Sequence, residues 1–139
     1  MGGLFICARS RIATYDKKYY TEKKQTEGVD IMYIADLHIH SRFSRATSRD
    51  GDAPHLDWWA RRKGIAVLGT GDFTHPAWRA ELKEQLVPAG DGVYTLREDL
   101  RLPGTAPGQA PRFVITGEIS SIYKRGGKTR KVHNVILLP

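Results

Sequence analysis

"MYIADLHIHSRFSR", residues 32–45, begins with the apolar pattern of a buried strand and ends in a loop that contains serine and arginine. The segment places His38 and His40 one residue apart near the end of the predicted strand. Since alternate side chains of a strand lie on the same face, we predict that Asp36, His38 and His40 project together. The two histidines are then either metal ligands, with arginines beside them for an anion, or merely polar residues at the tip of a strand.

Two further apolar segments follow at positions 65–73 and 112–120. "IAVLGTGDF" has the continuous apolar pattern of a strand buried in a parallel sheet, and "RFVITGEIS" has the same pattern. Between them, residues 88–112 are rich in proline and glycine and are predicted to be a loop, with a short strand at "GVYTL". Strands that alternate with helices favour an α/β sheet or barrel over a sandwich or a helical bundle.

Two helices are predicted between these strands. The first begins after a cap at Asp52 and ends near Lys63, where Gly64 closes it. The second has Thr74 or His75 near its cap and a proline in its first turn. Its apolar face carries three residues at four-residue spacing, namely Trp78, Leu82 and Leu86.

A hairpin is predicted over residues 120–139, because the Gly126–Gly127 pair between two strand-like segments is a strong turn signal. Its turn region, "KRGGKTRK", contains five basic residues and no acid: Lys124, Arg125, Lys128, Arg130 and Lys131. The segment is either a solvated hairpin tip or a surface that contacts a phosphate backbone. Arg42 and Arg45 of the first loop belong to the same predicted nucleic-acid-binding set.

Residues of metal-binding types also follow the later strands. They are Asp72 and His75 after the second strand, Glu118 after the third, and His133 on the return strand of the hairpin. Because the C-terminal ends of parallel strands meet at one face of a sheet, these residues are expected to join His38 and His40. An ionised Glu118 between apolar segments would be costly to bury unpaired, so we expect a cation beside it. Imidazole and carboxylate ligands suit Zn, Mn or Fe, and bridging carboxylates suit more than one ion.

The bulk composition is that of one domain with a modest core, at 139 residues and 40% hydrophobic. No apolar run is long enough to cross a membrane, and no convincing signal peptide is seen. The single cysteine, Cys7, cannot form an internal disulfide, which suits a cytoplasmic protein. A net charge of +7 is compatible with a polyanionic partner.

The chain is predicted to divide near Met32. Residues 1–31 are polar and lack periodicity, and we predict a leader or disordered tail ahead of a domain at residues 32–139. The alternative is a short extension that packs on the domain.

One apparent nucleotide-binding motif is excluded. "GGKT", residues 126–129, resembles the end of a P-loop, but the pattern needs glycine at position 122, which is Ile122. The residues after Thr129 also have a strand pattern where a P-loop is followed by a helix. No nucleotide cofactor is therefore predicted.

Four motifs together resemble the PHP (polymerase and histidinol phosphatase) superfamily of metal-dependent phosphoesterases, and most closely its endonuclease Q branch. They are "DLHIHSRFS", "GTGDFTHP", "TGEIS" and "VHNVILLP". The resemblance implies a distorted (β/α)7, TIM-like barrel with a metal cluster at its strand ends. It also implies nicking of DNA at deaminated or abasic lesions, a reaction of DNA repair. By position, the family's ligands correspond to His38, His40, Asp72, Glu118 and His133.

The chain departs from the family pattern in two respects. The second motif usually has adjacent Asp and His, whereas Phe73 and Thr74 separate Asp72 from His75 here. The family's later ligands would lie beyond Pro139, so residues 32–139 are expected to be the truncated N-terminal part of a PHP domain.

The expected function is metal-dependent phosphodiester hydrolysis on DNA, with catalytic roles for Asp72 and Glu118, and this fragment alone is expected to be inactive or incomplete. The alternatives are a PHP phosphatase that acts on a small phosphate ester and a non-catalytic DNA-binding remnant. The basic hairpin argues against the phosphatase, since a small substrate needs only one or two cations.

Overall fold

The computed structural model describes residues 5–11, 30–104 and 110–138 of the chain. In chain order the strands and helices are β1 (Phe5–Arg11), β2 (Asp30–Asp36), α1 (Ala53–Lys63), β3 (Ile65–Gly69), α2 (Pro76–Gln85), β4 (Leu86–Gly90), β5 (Val93–Leu96), β6 (Arg112–Arg125) and β7 (Lys128–Leu138). A short 3-10 helix at Glu98–Leu100 lies between β5 and β6. The alternation of strands and helices confirms the predicted α/β class.

The strands form one sheet in the order β1-β2-β3-β6-β5-β4, with β7 paired to β6. β2, β3 and β6 run parallel, and the remaining pairs are antiparallel. The sheet is open in the described part of the chain, so the predicted barrel is not seen there. The three parallel strands are nevertheless neighbours, and this brings their C-terminal ends to one edge.

Helix α1 begins and ends as the sequence predicts. The Asp52 side chain accepts a hydrogen bond from the His55 backbone N–H at 3.0 Å, which satisfies one of the free donors of the first turn. Gly64 adopts the left-handed conformation, with φ of 68°, and closes the helix. These local interactions fix where α1 starts relative to the loop that follows β2.

Helix α2 is shorter than predicted. His75 caps it, because the imidazole accepts a hydrogen bond from the Trp78 backbone N–H at 3.4 Å. The helix ends at Gln85, and Leu86 begins strand β4. The sequence pattern predicts the end of a helix and a loop at this position. Leu86 is still buried, so its apolar character reflects the core and not the helix period. No helix in the described ranges is long and apolar enough to span a membrane.

The core lies between the two helices and the sheet. Its buried members come from both helices and four strands: Ala53, Ala60, Ile65, Leu68, Trp78, Leu82, Leu86, Leu96 and Phe113. Trp78 and Phe113 have no exposed surface, and each buries a large apolar area. Because α1 and α2 share one core with β3 and β6, the helices hold the parallel strands at a fixed spacing.

The first residues of the chain differ from the prediction. Residues 5–11, assigned to a leader or tail, form β1 and pair with β2 in antiparallel register from Phe5 opposite Asp36 to Arg11 opposite Asp30. The boundary predicted at Met32 therefore falls inside β2. Residues 12–29 of the predicted leader lie outside the described residues.

The hairpin of β6 and β7 is confirmed. Gly126 and Gly127 both have positive φ, at 58° and 74°, which is the backbone of a two-residue type I′ turn. The start of β6 pairs with β3 and β5, whereas its residues from Ile115 onward pair with β7. The hairpin therefore leaves the sheet and carries its turn into solvent.

Candidate metal centre

The site forms where the segment after β2 crosses the segment after β3. β2 ends at Asp36, four residues earlier than predicted, so His38 and His40 lie on irregular backbone. Strand alternation is therefore not what brings them together. The two rings nevertheless lie with centroids 5.7 Å apart, because the backbone folds over the edge of the sheet.

Two glycines of the "GTGD" motif allow this crossing. A Cβ at Gly69 would lie 2.7 Å from the Leu37 carbonyl oxygen, and one at Gly71 would overlap the Ile39 carbonyl oxygen. Gly71 also has φ of 65°, a conformation that residues with a side chain rarely adopt. Glycine is required here because the two backbones touch.

A pair of buried threonines joins the ends of β3 and β6. The Thr116 backbone N–H donates to Thr70 Oγ1 at 3.1 Å, and the Gly71 backbone N–H donates to Thr116 Oγ1 at 2.9 Å. Asp72 and Glu118 each follow their threonine by two residues, in Thr-Gly-Asp and Thr-Gly-Glu. The threonine pair therefore sets the separation between the two carboxylates.

Three predicted ligands converge into a group that could hold a metal ion. One donor atom from each of His38, His40 and Glu118 lies within 4.8 Å of the other two. Glu118 Oε2 is 2.6 Å from His38 Nε2 and 3.5 Å from His40 Nε2. Imidazole nitrogen and carboxylate oxygen are the donors that Zn, Mn and Fe accept, so the donor chemistry fits such a cation.

His133 reaches the same carboxylate from the hairpin. Its Nδ1 contacts Glu118 Oε1, the oxygen that His38 leaves free, and lies 3.3 Å from Ser120 Oγ. His133 is not one of the three converging donors. Glu118 thus lies between the histidines of the first loop and the histidine of the hairpin.

Asp72 contacts the group through His40. Its Oδ1 lies 3.0 Å from His40 Nδ1, and its Oδ2 accepts from the Ser41 backbone N–H at 2.7 Å and from Ser41 Oγ at 2.8 Å. Asp72 has φ of 47°, which turns its carboxylate back onto the first loop. Asp72 was predicted as a metal ligand and a catalytic residue. In the structure, Oδ1 contacts His40 and Oδ2 accepts hydrogen bonds from Ser41. A carboxylate on the far nitrogen of a histidine orients that ring and favours one tautomer.

His75 was also predicted as a ligand, but its described contacts are with helix α2 and Phe43. Its Nδ1 caps α2, and its ring stacks on Phe43 with centroids 4.5 Å apart. It is absent from the ligand group found among the described residues. Both contacts are local packing and capping, which a sequence motif does not distinguish from ligation.

The electrostatics of the group favour a cation. Hydrogen bonding from His38 lowers the pKa of Glu118 to about 2, with further contributions from the contact and charge of His133. The carboxylate is therefore ionised at neutral pH. Burial raises the pKa of Asp36, whose Oδ1 has no hydrogen-bond partner in the described part of the chain.

The predicted phosphate-binding cations fall into two groups. Arg42 is engaged within the fold: it lies 2.6 Å from Glu81 and 3.5 Å from Asp52, and its guanidinium packs over Phe43. Arg45 and the five hairpin cations are exposed. Within the described ranges, none of those five lies within ion-pair distance of an acid.

Three residues that support the site were missed from the sequence. Ser41, Thr70 and Thr116 are buried polar residues next to the predicted ligands or their glycines. The parallel between Thr-Gly-Asp and Thr-Gly-Glu was visible in the sequence and pointed to the threonine pair. Their partners, however, depend on which strands are neighbours.

No family model matches the chain. Among curated proteins it is similar to the uncharacterised protein MJ0043 of Methanocaldococcus jannaschii, with 47% identity over 104 residues, which make up 75% of this chain and 9% of that relative. The chain therefore spans a small part of the relative's length.

Two solved structures are similar to the chain. One is the lesion-specific endonuclease PfuEndoQ from Pyrococcus furiosus, and the other is endonuclease Q in complex with a 27-mer duplex substrate that has an abasic lesion at the active site. Each is 32% identical with a TM-score of 0.49, over 60% of this chain and 18% of the other.

Proposed function

We propose that this chain supplies part of the metal centre of a phosphodiesterase that nicks DNA at deaminated or abasic lesions. The observation that carries the proposal is the convergence of His38, His40 and Glu118, which come from positions up to 80 residues apart. The sequence motifs that resemble the endonuclease Q branch of the PHP superfamily supply the reaction class.

The cation would be held by His38 Nε2, His40 Nε2 and a Glu118 oxygen. When bound, a Zn, Mn or Fe ion polarises a phosphoryl oxygen and lowers the pKa of water. Glu118 brings a full negative charge to the group at neutral pH, because its pKa is about 2. His133 contacts the other oxygen of Glu118, and this oxygen would be the ligand for a second cation.

Asp72 acts on the donor atom of His40. When His40 Nδ1–H donates to Asp72, the ring must carry its lone pair on Nε2, the nitrogen that faces Glu118. Ser41 holds Asp72 with two hydrogen bonds, so the carboxylate cannot rotate away. We therefore assign Asp72 the role of a positioning residue.

The charge distribution supports a polyanionic substrate. The hairpin carries five exposed cations with no acid at ion-pair distance in the described part of the chain, and Arg45 adds one on the loop beside the site. Each neutralised phosphate releases counterions, so binding to DNA should weaken steeply as salt is raised. A small phosphate ester would use only one or two of these charges. We do not include Arg42 among the phosphate-binding residues, because it already pairs with Glu81 and Asp52.

The test combines metal analysis with a nicking assay. The 139-residue chain is loaded with Zn²⁺ or Mn²⁺ and incubated with end-labelled duplexes that contain an abasic site, deoxyinosine or uracil. Because the chain supplies only part of the centre, we expect metal binding that Glu118→Gln weakens and binding to the lesion duplex that EDTA weakens, whereas nicking is not required of this chain alone. Hydrolysis of p-nitrophenyl phosphate alone would favour a phosphatase, and metal-independent binding without cleavage would favour a DNA-binding remnant. Either result would overturn the proposal.

A further inference from the structure

The hairpin has two chemically different faces, and only one of them continues from the metal centre. Cross-strand partners share a face, and the face alternates at each step along a strand. Ser120 pairs with His133, so both lie on the Glu118 side, as their contacts also show. The residues farther along on this face, the metal face, are Ile122, Lys124, Thr129 and Lys131.

The opposite face carries the other three of the five basic residues. Its cross-strand pairs place Ser121 beside Val132, Tyr123 beside Arg130, and Arg125 beside Lys128. A ligand that bound this face would be separated from Glu118 by the thickness of the β ribbon. The five cations predicted as one phosphate-binding set therefore divide into Lys124 and Lys131 on the metal face and three residues on the opposite face.

The metal face combines groups that fit one strand of DNA. Two ammonium groups, Lys124 and Lys131, can contact phosphates, and the hydroxyls of Ser120 and Thr129 can donate hydrogen bonds to them. Ile122 lies between these groups and is 68% exposed, and its cross-strand partner is Lys131. An isolated apolar side chain in a row of phosphate-binding groups fits the sugar or base edge of a nucleotide.

The spacing along the ribbon sets the reach of this surface. At about 3.3 Å per residue, Ile122 and its partner Lys131 lie roughly 13 Å beyond Glu118, and Lys124 lies roughly 20 Å beyond it. At about 3.4 Å of rise per nucleotide along the axis of B-DNA, these distances span roughly four and six base-pair steps of a duplex. The metal face is therefore long enough to contact several nucleotides beside the cleaved bond.

We propose that the metal face of the hairpin is a track for one DNA strand, with Lys131 and Lys124 on phosphates and Ile122 against a sugar or base. The opposite face is not part of this track. The inference rests on the proposed function, because it takes DNA as the substrate of the metal centre.

Neighbouring residues on opposite faces provide a matched test. Ile122→Cys and Tyr123→Cys are made in a Cys7→Ser background, so that each chain has one thiol. Both positions are exposed, at 68% and 47%, and neither touches the metal group. Each thiol carries a photoactivatable aryl azide, and the chain is irradiated with an end-labelled duplex that has an abasic site.

We expect at least fivefold more crosslink from position 122 than from position 123, within about six nucleotides of the lesion. Equal yields, a higher yield from 123, or no crosslink from either position would each overturn the track. Circular dichroism checks that both labelled chains are folded. DNA binding of the unlabelled chain, measured separately, tests the proposed function itself.

A charge-matched pair of double variants provides the second test. Lys124→Gln with Lys131→Gln removes two cations from the metal face, and Arg125→Gln with Arg130→Gln removes two from the opposite face. The slope of log Kd against log salt should fall by about 1.8 in the first variant, since each phosphate contact contributes about 0.9. In the second variant it should fall by less than half of that amount.

The two proposals fail in distinguishable ways. If the unmodified chain binds DNA but both double variants lose the same slope, only the track is wrong. If the unmodified chain neither binds nor nicks DNA, the proposed function is wrong. Zn²⁺ binding by calorimetry should be the same in both double variants, because neither changes a residue of the metal group.

Discussion

Asp72 Oδ1 lies 3.0 Å from His40 Nδ1, while the other nitrogen of the same ring faces Glu118. The sequence motif suggests Asp72 as a metal ligand. In the structure, Asp72 instead contacts His40, which is a member of the ligand group. This contact leads to a prediction that separates the two roles.

Asp72→Asn should weaken metal binding about 10- to 100-fold, because the neutral amide holds the His40 ring and its tautomer less firmly. Ser41→Ala, which removes one of the two hydrogen bonds that Ser41 gives to Asp72, should have a smaller effect in the same direction. Calorimetric titration with Zn²⁺ measures both affinities. Unchanged affinity in Asp72→Asn would show that the contact with His40 has no influence on the metal group.

Glu118→Gln should change how stability depends on pH. The folded-state pKa of Glu118 is lowered from 4.5 to about 2, so its ionised form stabilises the folded chain above pH 4.5. That contribution is lost as the pH falls from 4.5 through 2, and it amounts to about 1–3 kcal/mol, since water partly screens the histidine partners.

Urea unfolding in EDTA from pH 2 to 7 measures this contribution. The free energy of unfolding of the unmodified chain should fall more steeply below pH 4.5 than that of Glu118→Gln. Parallel curves for the two chains would show that the histidine contacts do not stabilise the carboxylate.

Thr116→Val should destabilise the fold by about 1–3 kcal/mol, because it leaves the buried Gly71 N–H without an acceptor. Thr70→Val should cost a similar amount through the Thr116 N–H. Thr95 provides a control, since its Oγ1 is buried with no partner in the described part of the chain. Thr95→Val should therefore be neutral or slightly stabilising in thermal unfolding. A larger cost at Thr95 than at Thr116 would contradict this assignment.

Gly71→Ala should disrupt both the fold and the metal group. The added Cβ meets the Ile39 carbonyl between the two histidines, in a backbone with φ of 65°. Gly64 has nearly the same φ, 68°, and open space around it. Gly64→Ala therefore pays only the conformational cost of about 1 kcal/mol. Thermal unfolding and Zn²⁺ titration compare the pair, and equal effects on both readouts would argue against the close backbone crossing.

Arg42→Gln should affect stability more than DNA affinity. Its pairs with Glu81 and Asp52 lie at the surface, so we expect a loss of about 0.2–1 kcal/mol and less than a twofold change in Kd for DNA. Arg45→Gln should do the reverse, because Arg45 has no acid at ion-pair distance in the described part of the chain. Fluorescence anisotropy at two salt concentrations measures the affinities. If Arg42→Gln weakened DNA binding more than Arg45→Gln, Arg42 would be a phosphate-binding residue after all.

Much of the fold follows from short-range features of the sequence. Asp52 and Gly64 mark the ends of α1, because caps act on backbone groups one turn away. The Gly126–Gly127 pair specifies the hairpin through its own φ angles. The order of β2, α1, β3, α2, β6 and β7 follows from the apolar pattern, since each element must bury one side.

The members of the site were less predictable than its location. His38, His40 and Glu118 were predicted and do converge. The end of β2 was misplaced, because a strand stops where its neighbours stop pairing with it, and that depends on β1 and β3. β4 was missed because a Pro-Gly-rich segment can pair at the edge of a sheet without a strong apolar pattern.

The sequence by itself determined an α/β chain with histidines and acids of metal-ligating types after its strands and a basic hairpin beside them, because periodicity, caps and turns are local properties. Only the tertiary structure decided that Asp72 contacts His40 and that Arg42 pairs with Glu81 and Asp52. Those roles depend on side chains from separate elements coming within 3–4 Å of each other, and that separation is set by packing, which no local pattern encodes.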